Sequence, residues 1–302
     1  MFIGNNKQNS GGTTQKRPVI KLITGRFFYF NKEDLHMATI SILTGLTQNT
    51  LVPSADALHL LVLNLMPNRA VTERQLANVF AQGKQDVALT FCLPSTHHIN
   101  KNATQIRQAY ATFDQVEAQY FDGLIVTGAP LDQLEFEQVD FWPEFRRILT
   151  WRKAHTKGAL FICWGAYAAG ELDGVFHGKQ LAQKISGIYT TDGLTMPHSR
   201  YFTIPLASVV RGNVLAGSQA LGATLISDSA SNSWYLAGHL EYQTGTLRAE
   251  YYRDLHKDPH TPLPAHYFDS DLQPQNTWHD QATQVYTSWL NTLTTARRQA
   301  HG

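Results

Sequence analysis

Cys163 stands where an apolar run meets a run of small residues, in GALFICWGAYAAG (158–170). Ala159, Leu160, Phe161 and Ile162 read as a short buried strand, and Gly165, Ala166, Ala168 and Ala169 as the closely packed start of a helix. A cysteine at such an elbow is presented at the edge of a sheet, and the N–H groups and positive dipole end of the following helix favour its thiolate. That is the setting of a cysteine acyl carrier; a buried structural cysteine is the alternative reading of the same residue. A thiol nucleophile needs a base, and SWYLAGHLEY (233–242) supplies a histidine and a carboxylate two positions apart. Residues 234–237 read as another buried strand, turned by Gly238. In extended backbone, positions i and i+2 share a side. His239 can then face Cys163 as base, while Glu241 fixes its tautomer or supports the imidazolium. An isolated His-x-Glu also occurs in surface loops; its weight here comes from the elbow cysteine earlier in the chain.

The elements that must hold this pair alternate. Residues 58–65 (LHLLVLNL) read as a buried strand, 72–82 as a helix with Thr72 as its cap, 86–93 as a strand and 103–117 as a helix. Residues 123–127 form the next strand, ending in Gly128-Ala129-Pro130, and 141–155 the helix before the nucleophile strand. Residues 282–298 read as an amphipathic helix with Trp289 and Leu290 inward. Such alternation predicts an α/β fold, a parallel sheet flanked by helices on both faces, with ligands at the carboxyl ends of the strands. Gly128-Ala129-Pro130, Cys163-Trp164 and Gly238-His239 all fall at such ends.

With 302 residues, 43% hydrophobic and 16% charged, the chain can bury a sizeable core. Residues 1–36 read as a polar, poorly ordered leader with one aromatic patch at 27–30, residues 37–302 as a single α/β domain, and Met37 as a candidate translation start. A net charge of +1 without a basic block argues against nucleic acid or an anionic membrane as partner. No apolar run approaches the ~18 residues that span a bilayer, and the N-terminus lacks the pattern of a secretion signal, so a cytoplasmic protein is expected. Two cysteines make a disulfide framework improbable, and Cys92, in LTFCLPS, reads as a core residue. His256 and His260 have helical spacing, but Pro259 interrupts a helix there and no third ligand is placed, so no metal is expected. Neither a P-loop nor a dinucleotide fingerprint is present, and no cofactor is expected.

Taken in order, LNLMP (63–67), Thr72-Glu73 with Gln75, FDGLIVTGAPL (121–131), FICW (161–164), Lys184 with Ser186-Gly187, PHSRY (197–201), GHLEY (238–242), YYRD (251–254), PQNTW (274–278) and SWLN (288–291) resemble the homoserine O-acyltransferases of the MetA type. The resemblance covers roughly residues 58 to 292 and implies a fold like that of class I glutamine amidotransferases (flavodoxin-like). By matching position it makes Cys163 the acyl-thioester nucleophile, His239 the general base and Glu241 its partner. Lys184, Ser199 and Arg253 match positions that contact the amino-acid acceptor. Their types suit that role, since Arg can clamp an α-carboxylate bidentately and Ser can fix the acceptor by a hydrogen bond. The implied mechanism is ping-pong, from an acyl-CoA cosubstrate to Cys163 and on to a side-chain hydroxyl. Backbone N–H groups of Trp164 and of the Gly128-Ala129 turn are the expected oxyanion donors, each worth roughly 3 kcal/mol.

In this family the second residue after the Gly-Ala-Pro turn bears on the acyl donor, Gly with succinyl and Glu with acetyl transfer. Asp132 stands there. A carboxylate at that point repels a succinyl carboxylate by ~3 kcal/mol at ~5 Å and an effective dielectric of ~20, which favours acetyl-CoA. Asn68 replaces one of the paired basic residues after LNLMP, leaving Arg69 as a candidate CoA contact. The segment IYTTDGLTM (188–196) is shorter than usual and leads into Ser199, which suggests a remodelled acceptor side. That suggests L-serine as acceptor and a place in cysteine synthesis, with homoserine O-acetyl- or O-succinyl transfer in methionine synthesis as the alternative. The two acceptors differ by one methylene, a discrimination worth only ~1–3 kcal/mol. A glutamine amidotransferase-like cysteine hydrolase and a catalytically silent binding protein are the remaining readings. The family makes a homodimer plausible.

Overall fold

The computed structural model describes residues 37–300 and, before them, strands β1 (Lys21–Ile23) and β2 (Arg26–Phe28). β1 and β2 pair antiparallel, Lys21 opposite Phe28, in a unit of their own that ends at His36. The expected leader otherwise lies outside the described residues.

The second unit is organised by β3 (Ile40–Thr44), β4 (Leu58–Leu63), β5 (Val87–Leu93), β6 (Ala111–Thr112), β7 (Gly123–Val126) and β8 (Ala159–Ile162). These run parallel, and every residue of β5, β7 and β8 is buried. That is why they read as unbroken apolar runs rather than as alternating ones. Beyond a long hairpin, β9 (Lys179–Thr191) with β10 (Leu194–Thr203), come β11 (Asn213–Ser218), β12 (Gly222–Asp228) and β13 (Ser233–Leu236). The sheet order is β11-β12-β13-β8-β7-β4-β5-β3, with β6 on β5 and β9-β10 as a separate sheet. β13 is parallel to β8; β11 and β12 are antiparallel.

From β4 the chain moves one way to β5 through α1 (Arg69–Ala81), then the other way to β7 and β8 through α2 (Ala103–Ala109), α3 (Phe113–Val116) and α4 (Trp142–His155). Right-handed crossovers in opposite directions put α1 and α4 on opposite faces of the sheet. The contacts agree: α1 meets α7 (His279–Ala300) through Phe80 and Tyr286, and α4 meets α3 through Trp151 and Phe113. α5 (Trp164–Asp173) follows β8, and α6 (Thr246–Lys257) follows β13. The α/β expectation therefore holds, and the crevice where strand order reverses, beside β4 and β7, lies next to the expected site.

Two expected elements differ. Thr72 is no cap; α1 starts at Arg69 behind Asn68, and the Thr72 hydroxyl bonds back to the Asn68 carbonyl at 3.5 Å within the helix. Residues 103–117 are two helices, because Tyr110 turns extended and Ala111–Thr112 add a bridge to Cys92 and Leu93. Thr112 and Gln115 then close a capping box on α3, a T-x-x-Q signal legible in the sequence. α6 stops at Lys257, so His256 and His260 do not share a helix, in keeping with the break read at Pro259. Among the described residues no group of His, Cys, Asp and Glu is arranged to hold a metal, and no helix is long and apolar enough to cross a membrane.

Candidate active site

β8 delivers Cys163 to the sheet edge with φ 51° and ψ −117°, a conformation that L side chains rarely adopt, and α5 starts at the next residue. Backbone strain of this kind persists where the surroundings over-determine it. Here β13 does so: the Cys163 N–H donates to the Leu236 carbonyl at 2.7 Å. Gly165 lets α5 approach β7, since a Cβ there would lie 2.7 Å from the Thr127 carbonyl oxygen and 2.9 Å from Val126. The small residues after Cys163 are thus a packing requirement of the elbow.

After β13 the chain turns at Gly238, where a Cβ would fall 2.4 Å from the Pro197 carbonyl oxygen of β10. That close approach lets the His239 N–H donate to the same carbonyl at 2.8 Å. His239 Nδ1 meets Glu241 Oε1 at 2.7 Å, with both side chains buried. The expected pairing is present, but it arises in a turn rather than in extended backbone, with Tyr242 N–H closing on the His239 carbonyl at 3.4 Å. The Tyr242 ring stacks on the imidazole, centroids 4.1 Å apart. Burial disfavours a charged imidazole, but Cys163 on one side and Glu241 on the other outweigh it and hold His239 well above the ordinary histidine range. Cys163 is 3% exposed, His239 2% and Glu241 6%.

Gly128, at the end of β7, completes the centre. A Cβ there would lie 3.0 Å from His239 Cε1 and 3.2 Å from Cys163 Cβ, so the backbone of this turn borders both. The Thr127 hydroxyl donates to the Gly128 carbonyl at 3.0 Å, which fixes the peptide carrying the Ala129 N–H. Among the described residues the N–H groups of Gly128, Ala129 and Trp164 meet no acceptor. Trp164 itself is fully buried against Phe136, Phe141 and Phe145.

Three of the remaining expected residues lie on two elements. Lys184 and Ser199 lie on the β9-β10 hairpin and Arg253 on α6. Lys184 Nζ and Arg253 Nε both reach Asp254, each at 2.8 Å. The Ser199 hydroxyl donates to Glu250 at 2.5 Å, and the Tyr242 hydroxyl to its other oxygen at 2.6 Å. Asp132 is buried and accepts the Tyr201 N–H of β10 at 2.5 Å. Burial lifts its carboxyl above the usual range, opposed by the Tyr201 N–H and the positive charges of Lys184 and His239.

Asp192 and Gly193, both at positive φ, turn the hairpin in two residues, the tight Asp-Gly turn of the I′ kind. The short segment is therefore a hairpin tip, and Asp192 docks on the Gly217 N–H at 3.0 Å. Ser199 stands five residues down the ladder, roughly 17 Å away from that tip. Arg69 is 8% exposed, and its side chain lies beside Tyr110 and Glu73. Around it, Tyr110 and the N–H groups of Leu46 and Thr47 all bond to Glu73.

Sequence reasoning passed over Arg200 and Glu250. Arg200 is fully buried, bonded to His198 Nδ1 at 3.2 Å and to the carbonyls of Phe202 and Leu221. Burial pushes it down to about 10, while Cys163 and Asp132 nearby act the other way. It lies inside the motif PHSRY, where only Ser199 was singled out. Glu250 precedes Arg253 by one helical turn, a spacing that puts both on one face of α6. Cys92 is fully buried in β5, as expected of a core residue, and burial pushes its thiol far up.

Residues 32–299 match the homoserine O-succinyltransferase family. The chain is 41% identical over 245 residues to a homoserine O-acetyltransferase of Leuconostoc mesenteroides, covering 77% of this chain and 80% of that one. It is 34% identical over 260 residues to a homoserine O-succinyltransferase of Pseudoalteromonas translucida, covering 78% and 81%. A glutamine amidotransferase of Thermotoga maritima is similar in structure at a TM-score of 0.48 and 13% identity, over 78% of this chain and 96% of that one. The expected serine acceptor finds no support in these relatives. The chain belongs to the homoserine O-succinyltransferase family.

Proposed function

We propose that the protein transfers an acyl group from a CoA thioester to the side-chain hydroxyl of L-homoserine through a Cys163 thioester, a step of methionine synthesis. The observation that carries this reading is the strained elbow at Cys163 facing a buried His239–Glu241 pair. A cationic histidine beside a cysteine favours the thiolate. The thiolate adds to the thioester carbonyl, and the CoA sulfur leaves with the proton of His239. Homoserine then enters; His239 takes the hydroxyl proton as the oxygen adds to the acyl carbon, and the Cys163 sulfur leaves. Each oxyanion would be met by the N–H groups of Trp164 and of the Gly128-Ala129 turn.

For the acceptor, Arg253 and Lys184 offer cations for the α-carboxylate, and Glu250 offers an anion for the ammonium. Homoserine replaces serine because the relatives are homoserine acyltransferases and the short hairpin turn lies away from Ser199. Acetyl-CoA is the proposed donor. Asp132 is buried close enough to Lys184 and His239 to feel both charges, and a second carboxylate beside it would be repelled.

The test is CoA release by the purified protein with acetyl-CoA or succinyl-CoA, each with L-homoserine or L-serine, products identified by mass spectrometry. O-Acetylhomoserine as main product is expected. O-Succinylhomoserine would overturn the donor reading, O-acetylserine the acceptor reading, and no transfer with any pair the whole proposal.

A further inference from the structure

Glu241 uses one carboxylate oxygen on His239; the other, Oε2, is buried without a hydrogen-bond partner of standard geometry. The hydroxyl of Tyr286, on α7, is in the same state. Two orphaned buried polar atoms are costly unless they serve each other. They belong to elements that are firmly joined. Trp278, just before α7, donates its indole N–H to the Tyr242 carbonyl at 3.0 Å, which seats α7 on the catalytic turn. Trp278, Ala282 and Tyr286 follow at four-residue spacing and are all buried, so they form one stripe on that side of the chain. Ala282 and Thr283 share a cleft wall with Glu241. The Tyr286 ring packs edge-on to Phe80 of α1, centroids 5.4 Å apart, which aims the hydroxyl. Burial raises the Tyr286 hydroxyl well above its ordinary range, and Glu241, facing it, raises it further, so it stays protonated and is a donor.

We propose that Tyr286 is a positioning residue: its hydroxyl donates to Glu241 Oε2 and thereby fixes the carboxylate that orients His239. This rests on the triad reading above. The groups around Glu241 are His239 and Tyr242 from its own turn, Tyr286 from α7 and His279 at the start of α7, with Cys163 beyond His239. A donor on Oε2 stabilises the ionised carboxylate. Without it, the carboxylate is free to turn away from His239 Nδ1, and the imidazolium that supports the thiolate loses its partner.

The test is the rate of Cys163 alkylation by iodoacetamide against pH, read by mass spectrometry, in wild type, Tyr286→Phe, Glu241→Gln and the double variant. Tyr286→Phe keeps the ring against Phe80. Its acid limb is expected to move up by about half a pH unit, with kcat for acyl transfer down roughly three- to tenfold and KM little changed. In the Glu241→Gln background the same substitution is expected to have no further effect on the profile. An unshifted limb in Tyr286→Phe, with Glu241→Gln altered, overturns the role of Tyr286. A profile indifferent to Glu241→Gln overturns the triad reading instead. If Tyr286→Phe costs stability and equal activity in both backgrounds, the hydroxyl serves packing only, and the proposal fails.

Discussion

Gly128 has no room for a side chain. A methyl group there would lie 3.0 Å from His239 Cε1 and 3.2 Å from Cys163 Cβ, closer than ordinary van der Waals contact. Gly128→Ala is expected to push the imidazole away from the thiol and lower kcat about a hundredfold, with a small change in melting temperature. Cys163→Ala should leave no covalent acyl adduct by intact mass after incubation with acetyl-CoA and abolish transfer. The charge on His239 carries a stability signature as well. Because its folded value is raised, the stabilisation is complete below its unfolded value of about 6.5 and is lost as pH rises through the folded value. The difference in melting temperature between wild type and His239→Gln should therefore be largest in the acid range and shrink as pH rises. At this scale Cys163, His239 and Glu241 were legible in the sequence, because the residue types that the proposed nucleophile, base and orienter require stand at element ends. Arg200 and Glu250 were not, because a buried cation or a bridging carboxylate looks like any surface charge until its partners are known.

The β9-β10 hairpin and α6 hold the groups that surround the triad. Asp132 ties the loop after β7 to the hairpin through the Tyr201 N–H, so the proposed donor selectivity and the architecture meet at one residue. Asp132→Gly is expected to raise the ratio of succinyl-CoA to acetyl-CoA use at least several-fold in competition assays, and to cost about 1–2 kcal/mol of stability by orphaning that N–H. Gly238→Ala tests the other joint, since its Cβ would fall 2.4 Å from the Pro197 carbonyl oxygen. Displacing β10 from the catalytic turn should destabilise the protein by about 1–3 kcal/mol in urea unfolding. Strands β4, β5, β7, β8 and β13 were legible to within two residues, because a run buried on both faces has a composition that polar loops cannot imitate, whereas β3 and β9 to β12, of mixed burial or polar composition, were not read. The break at Tyr110 was missed: residues 103–117 have helical composition throughout, and only the bridge from Ala111–Thr112 to β5 interrupts them.

Over the whole second unit, a buried ion pair joins elements far apart in sequence. Arg152 of α4 meets Asp173 at the end of α5 at 2.5 Å and Ser233 of β13 at 3.1 Å, while the Tyr235 hydroxyl adds a bond to Asp173 at 2.8 Å. Arg152→Met leaves Asp173 without its cation in a dry place and should cost about 3–5 kcal/mol, measurable by chemical denaturation. This network lies below the sheet's carboxyl edge, at the opposite end of β13 from His239, so its loss should reduce stability more than catalytic geometry. The sequence by itself determined the alternation of strands and helices, the strand ends at which Cys163 and His239 emerge, and the small residues that let α5 approach, because burial and close packing select residue types locally. Only the tertiary structure decided that a turn joins His239 to Glu241, that the hairpin tip lies away from Ser199, and that α7 brings Tyr286 to the neighbourhood of Glu241. Those relations depend on strand order and on which buried polar atoms find partners, and neither is encoded in any one segment.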